Sequence, residues 1–427
     1  MSTSIALIDT LQSIWDEMPA LIGAQWPALE KELLVQLRAL DAGEQDAQTI
    51  SKAILALLRP FEAAWKRLAE KSAGTGLGRQ KSLPASAPAG TLRLGTRRYV
   101  VVPVMYATDR ATTGATQPSL YFGGGRSTGG ALALGIAEVS IPDDHRMGAL
   151  EAPVLWKLQF RADPEMHVVL LGISPLEREP YFAEARSRMR NAKRKEALVF
   201  VHGYNVTFED GARRTAQIAY DLHFQGIPML YSWPSEANAA RYTIDETNVY
   251  WSRPHFQAFL RSVLTETGAE AVHVIAHSMG NRVLAETIGQ FSAAGLPAGS
   301  ARLHQIVFAA PDIDAQTFED LAKAFHGCAE RFTLYASSGD LALQLSKKVH
   351  GYARAGDSGE GLVTVDSVDT IDASAIDTSL LGHSYFGDNR SVIGDLFRLI
   401  NDALPPEQRH PLRKMERQGK RYWLFPA

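Results

Sequence analysis

Short, almost wholly apolar runs alternate with longer amphipathic stretches through the second half of the chain. The runs are Ala197–His202, Met229–Trp233, Ala271–Ile275, Leu303–Ala309 and Arg331–Tyr335. They are rich in β-branched and aromatic residues and too short for buried helices, which predicts strands covered on both faces. Between them the apolar positions follow a helical period, over 208–225, over 248–267, onward from Gly280 through Val283, Leu284 and Thr287, and over 315–326. Strand–helix alternation of this kind predicts a mostly parallel sheet with helices packed against it. A strand at Leu362–Val365 and a helix over about 391–403 complete the pattern.

Upstream the pattern differs. Runs at Arg98–Tyr106, Leu134–Ile141, Trp156–Phe160 and His167–Ile173 follow one another with no helix long enough to cross over, so these strands are expected to be antiparallel. A helix over 178–193 then leads into the parallel part. The glycines at 123, 124, 125, 129 and 130 lack a Lys-Ser/Thr ending and a following helix, and are expected to form a flexible surface loop rather than a phosphate cradle.

Residues 1–70 carry three helical stripes: Leu7, Leu11, Ile14, Trp15 and Met18; Leu29, Leu33, Leu34, Leu37 and Leu40; and Ile50, Ile54, Leu57, Leu58, Phe61, Trp65 and Leu68. They predict a small helical bundle forming an N-terminal domain. Residues 71–97, rich in Gly, Ala, Ser and Pro without a period, are expected to be a flexible linker. The large domain then runs over 98–403. A tail, 404–427, is polar and then aromatic at Tyr422, Trp423 and Phe425, and is expected to fold back on it.

Composition narrows the function classes. The chain has 427 residues, 45% of them hydrophobic, and a net charge of -3, which gives no sign of nucleic-acid binding. Basic residues at 186–195 fit a solvated helix end. A single cysteine, Cys328, excludes an internal disulfide and fits a reducing compartment. The first residues lack a basic n-region and a long apolar core, and no stretch approaches the length of a membrane span, so the cytoplasm is the expected location. No HExxH, spaced Cys/His cluster or dinucleotide glycine fingerprint occurs, and no metal or other cofactor is expected.

The candidate chemistry begins where the apolar run at 271–275 breaks at Ala276, His277, Ser278, Met279 and Gly280 before a helix. Strand, tight turn with Ser and helix together describe a nucleophile elbow. A Ser hydroxyl is a poor nucleophile unless presented outward to a base, and a helix N-terminus aims backbone N–H groups at developing negative charge. Such a Ser needs a His base and a carboxylate to hold the imidazole. Asp340 stands just past the second strand after Ser278, and His383 on a loop after the last strand. Asp312 and Asp314, one strand earlier, compete as the acid; each could instead cap the helix that follows. The backbone N–H groups of Tyr204 and Met279 are the candidate oxyanion donors, with the His202 side chain bracing the loop that carries Tyr204. Asn205, Trp233 and Tyr385 are candidates for lining a substrate pocket.

With these residues in place the chain resembles the α/β-hydrolases, and more narrowly a bacterial α/β-hydrolase family of unknown function. The matching stretches are Val104–Arg110, Val199–Asn205, Tyr231–Ser235, His273–Asn281, Phe308–Asp314 and Gly382–Tyr385, spread over about 98–400. In place of the more usual Gly, Ala276 precedes the elbow, and it is still small. The resemblance implies a serine hydrolase fold, a triad in the order Ser, acid, His, and hydrolysis of small carboxylic esters of the esterase or lipase type. Thioester or amide hydrolysis would use the same parts. A rival reading makes the protein regulatory, its N-terminal helices binding a partner or a second copy and recruiting the hydrolase domain as effector.

Overall fold

The structure is a computed structural model. It describes residues 87–93, 97–151, 162–236, 241–325, 327–338, 352–375 and 390–426, with three isolated positions before residue 87. The expected bundle over 1–70, most of the expected linker and the expected strand at 156–160 lie outside the described residues.

The antiparallel part comprises β1 (Leu92–Arg93), β2 (Tyr99–Thr108), β5 (Ala133–Pro142) and β6 (Val169–Leu176), with a separate hairpin of β3 (Arg110–Thr112) and β4 (Phe122–Arg126). Helix α1 (Arg178–Asn191) leads to the parallel part: β7 (Glu196–Val201), α2 (Phe208–Asp221), β8 (Ile227–Ser232), α3 (Tyr242–Glu266), β9 (Ala271–His277), α4 (Asn281–Ala294) and β10 (Arg302–Ala309). Next come α5 (Ala315–Lys323), β11 (Ala329–Ala336), β12 (Asp369–Asp372), α6 (Arg390–Asn401), β13 (Arg413–Arg417) and β14 (Lys420–Leu424). Twelve strands form one sheet in the order β13-β14-β12-β11-β10-β9-β7-β8-β2-β5-β6, with β1 beside β2. Pairing is parallel from β2 through to β14 and antiparallel at both ends.

The period-2 rule assigns each strand's two faces. Ala197, Val199 and Val201 of β7 join the core beneath α1, α3, α4 and α5, while Leu198 and Phe200 join the one beneath α2 and α6. Strand β9 does the same, with Val272, Val274 and Ala276 on one side and Ile275 on the other. Helix-covered on both faces, mostly parallel and carrying its antiparallel strands on one flank, this is an α/β-hydrolase fold. Strand β7 pairs with β8 on one side and β9 on the other, so the chain's direction of progress across the sheet reverses there. In open α/β sheets such a switch point opens a crevice at the carboxyl ends of the strands.

Three expectations change. The glycine-rich stretch is not a loose loop: Phe122–Arg126 pairs with β3, and a Cβ on Gly124 would lie 2.8 Å from the Glu236 Cα. Its glycine serves close approach to the segment after β8. The apolar Leu362 and Val363 are buried without pairing, and the strand lies instead at β12, where Asp369 pairs beside Thr333. Apolar content reports burial there, not the ladder. Helix α3 starts at Tyr242, ahead of the predicted 248, because buried Asp245 interrupts its apolar stripe. Within it Pro254 cannot donate to the Tyr250 carbonyl, which Arg253 Nε caps at 3.2 Å. The tail folds back on the domain as expected, and it does so as part of the sheet, since β14 pairs with β12.

The antiparallel flank is tied to α2 by a buried imidazole. His145 Nδ1 meets Glu151 at 2.7 Å and Nε2 meets Asp221 at 2.7 Å. Burial alone would lower its pKa, but the hydrogen bonds to Asp221 and Glu151 outweigh it and bring it up to about 9. A folded-state value above the unfolded 6.5 means stabilisation that is full below pH 6.5 and lost as pH rises through about 9. The Tm of the wild type is therefore expected to fall across that window more steeply than that of His145→Gln, measured by thermal melts at several pH values.

Candidate active site

Strand β9 ends at His277, a three-residue 3-10 turn covers Ser278–Gly280, and α4 follows. Ser278 has φ +47°, in the left-handed region that side-chain-bearing residues enter at a cost, and is only 5% exposed. The turn is held from outside. The Ser278 carbonyl accepts from Asp312 N–H at 3.1 Å and from Asn281 Nδ2 at 3.0 Å, and the Asn281 amide also donates to Ala309 O.

The adjacent strand β7 ends beside it, with Val201 opposite Ala276. Two glycines let the two turns touch. A Cβ on Gly203 would fall 2.8 Å from His277 Nδ1 and 3.0 Å from Ser278 Cβ; one on Gly280 would fall 2.4 Å from His202 O. The His202–Val206 loop thus lies against the Ser278 turn, and Asn205 in it also takes a positive φ of +59°.

Beneath that loop sits the fully buried Arg110. Its Nε donates to Ser232 Oγ at 2.8 Å, Nη1 to Ser235 O at 2.9 Å and Gly123 O at 3.1 Å, and Nη2 to Val206 O at 2.7 Å and His202 Nε2 at 3.2 Å. Burial brings its pKa down to about 10 against the pull of Asp245 and Asp109, so it is charged at neutral pH. Burial, and then the Arg110 charge, push the His202 imidazole well below its ordinary range, and it is neutral. A carbonyl can only accept, so His202 Nδ1–H donates to Gly203 O at 2.7 Å and Nε2 is the acceptor for Arg110 and Ser232. The His202 side chain braces the loop, as the sequence suggested. Asp245 holds the same region, accepting from Ser235 Oγ at 2.5 Å, Glu236 N–H at 2.8 Å and Asn205 N–H at 3.3 Å.

A model of the alpha/beta hydrolase family of unknown function (DUF900) matches residues 181–402, more than half of the chain. The chain belongs to this family. No curated protein and no solved structure matches it. In this hydrolase the elbow, both switch-point loops and the candidate acids all fall within the matched segment.

The remaining candidates of this hydrolase divide three ways. Asp340, His383 and Tyr385 lie outside the described residues. Asp312 and Asp314 are described, and both are engaged. Asp314 caps α5, accepting from Thr317 N–H at 2.9 Å. Asp312 is buried; its carboxylate accepts from Tyr242 Oη and faces Arg354 Nε at 3.3 Å and Arg282 Nη2 at 3.5 Å. Its carboxylate is thus shared by two guanidinium groups and a phenol. Trp233 is fully buried, its ring stacked on His202 and its Nε1 donating to His202 O at 2.8 Å, so it packs beneath the loop. Tyr204 sets its ring against Tyr242 at 5.3 Å, and Met279 is buried in the first turn after Ser278. Among the described residues no group of three His, Cys, Asp or Glu side chains could hold a metal ion, and no helix is long and apolar enough to cross a membrane. Sequence reasoning assigned no role to Arg110, Ser232, Ser235 or Asp245. Arg110, Ser232 and Ser235 do fall within the stretches that carry the family resemblance, and all four stand at or just past the carboxyl ends of β2 and β8 or in the first turn of α3.

The strain at Ser278 is measurable. Ser278→Gly is expected to be more stable than Ser278→Ala by about 1 kcal/mol, since glycine alone relaxes a positive φ. Urea denaturation of the two variants checks it; equal midpoints would mean the turn is not strained.

Proposed function

We propose that this hydrolase cleaves small carboxylic esters through an acyl-enzyme on Ser278, with His383 as base and Asp340 as its orienting carboxylate. The observation that carries the reading is Ser278 held at positive φ at the end of β9, with Gly203 packed against its Cβ. A strained serine at the switch point of a hydrolase sheet is presented for attack, and a second loop lies close enough to supply an oxyanion donor. The commitment of Asp312 to its arginines favours Asp340 as the acid.

His383 takes the Ser278 proton as Oγ bonds to the ester carbonyl carbon, and the amides of Tyr204 and Met279 bear the oxyanion. The tetrahedral adduct collapses, the carbon–alkoxy bond breaks, and His383 returns its proton to the leaving alcohol. Water, deprotonated by His383, attacks the acyl group. The carboxylic acid departs and Ser278 regains its proton. Thioesters and amides pass through the same adduct, and comparative kinetics would rank them.

Ser278→Ala is expected to lower turnover of p-nitrophenyl esters by about 10⁴-fold or more and to abolish labelling by a fluorophosphonate, with the fold retained. Substantial activity in that variant would sink the assignment. Asp340→Asn and Asp312→Asn separate the two acids. The first should lose turnover at unchanged Tm. The second should lose stability, by about 3 kcal/mol, because two buried guanidinium groups lose their carboxylate.

A further inference from the structure

The Gly203–Tyr204 peptide has two ends with different duties. Its carbonyl accepts from His202 Nδ1–H at 2.7 Å, and in a trans peptide the Tyr204 N–H must then point the opposite way. In the neutral imidazole, Nδ1 donates only while Nε2 is the acceptor. That state is held by Ser232 Oγ at 3.0 Å and Arg110 Nη2 at 3.2 Å, and Arg110 Nε fixes the Ser232 hydroxyl in turn at 2.8 Å. The same guanidinium grips the loop's far end through Val206 O at 2.7 Å, while Ser235 Oγ accepts from Val206 N–H at 3.2 Å and its own carbonyl accepts from Arg110. One buried fork therefore reaches the loop after β7 at two points, the end of β8 at Ser232, the loop after it at Ser235 and the β3–β4 hairpin at Gly123.

We infer that Arg110 is a positioning residue for catalysis: acting through Ser232 and His202, it fixes the plane of the Gly203–Tyr204 peptide so that the Tyr204 amide faces the oxyanion formed at Ser278. It touches neither substrate nor nucleophile. The inference deepens the ester-hydrolase reading and rests on its assignment of the Tyr204 amide as an oxyanion donor. Lysine, a point donor without the planar fork, cannot reproduce the bridging geometry.

The experiment compares the wild type with Arg110→Lys, Ser232→Ala and Ser232→Thr. Three readouts are taken: p-nitrophenyl butyrate kinetics normalised by fluorophosphonate active-site titration, inhibition by an alkyl trifluoromethyl ketone, and hydrogen–deuterium exchange of the peptide spanning 203–206. For Arg110→Lys and Ser232→Ala, kcat per titrated site is expected to fall about 10- to 100-fold with KM within about twofold. The ketone, whose adduct carries the oxyanion, should weaken by the same factor, and exchange at 203–206 should quicken. Ser232→Thr, which keeps the hydroxyl, should restore all three. Should Arg110→Lys fail to fold, Ser232→Ala alone carries the test. Unchanged exchange at 203–206, or full kcat per titrated site, would overturn the inference. A wild type that cleaves no ester while its variants still loosen 203–206 would overturn the ester reading and leave the loop-fixing role standing.

Discussion

The contact between two backbones at the carboxyl ends of β7 and β9 is the constraint on which the rest of the site depends. These strands are hydrogen-bonded neighbours, so their following turns leave the sheet side by side and have no room to diverge. Gly203 and Gly280 stand at the two points where any side chain would strike the other turn. Once the turns are in contact, the Ser278 conformation, the Asn281 brackets to Ser278 and Ala309 and the approach of Asp312 N–H follow as means of keeping it. The flanking helices and both cores hold the two strands in register and thereby hold the contact.

Two buried arginines flank this contact and are used differently. Arg282 is an ion-pair centre: despite burial, Asp312, with Tyr242 and Glu246, holds its guanidinium above its ordinary range. It fastens α4 to the segment after β10, donating to the Asp312 carbonyl at 2.8 Å. Arg110 instead gives its hydrogen bonds to carbonyls, a hydroxyl and a neutral imidazole, and the carboxylates around it act from further away. A buried ion pair fixes two groups, whereas a guanidinium surrounded by carbonyls fixes the backbone itself. For a loop whose amide direction matters, the second arrangement is the more exacting.

The parallel half was legible in the sequence because strands buried on both faces are continuous apolar runs, and β7 and β9 lie where Ala197–His202 and Ala271–Ile275 predicted. The elbow was legible for the same reason, as a run broken by small residues before a helix. Strand β12 was not, because its sequence Asp-Thr-Ile-Asp carries carboxylates at both ends and only its middle is buried. Nor was the start of α3, where a buried carboxylate stands in an apolar stripe. The Arg110 network was not legible as a network: its members lie in stretches that carry the family resemblance, but they are 92 and 122 positions apart, and only the strand order brings them together. A lone arginine after a strand looks like a surface residue until the sheet is closed around it.

The two outer strands carry a consequence for how this molecule meets copies of itself. A twelve-stranded open sheet must end somewhere, and an unpaired strand invites another chain to continue the ladder. Among the described residues the ends are β6 and β13. One contains Pro175, which has no amide hydrogen to offer. The other is Arg413, Lys414, Met415, Glu416 and Arg417, four of its five side chains charged. Each border is thus made inhospitable by different chemistry, a missing donor on one side and a fence of charge on the other, so the sheet can be long without becoming a template for fibres.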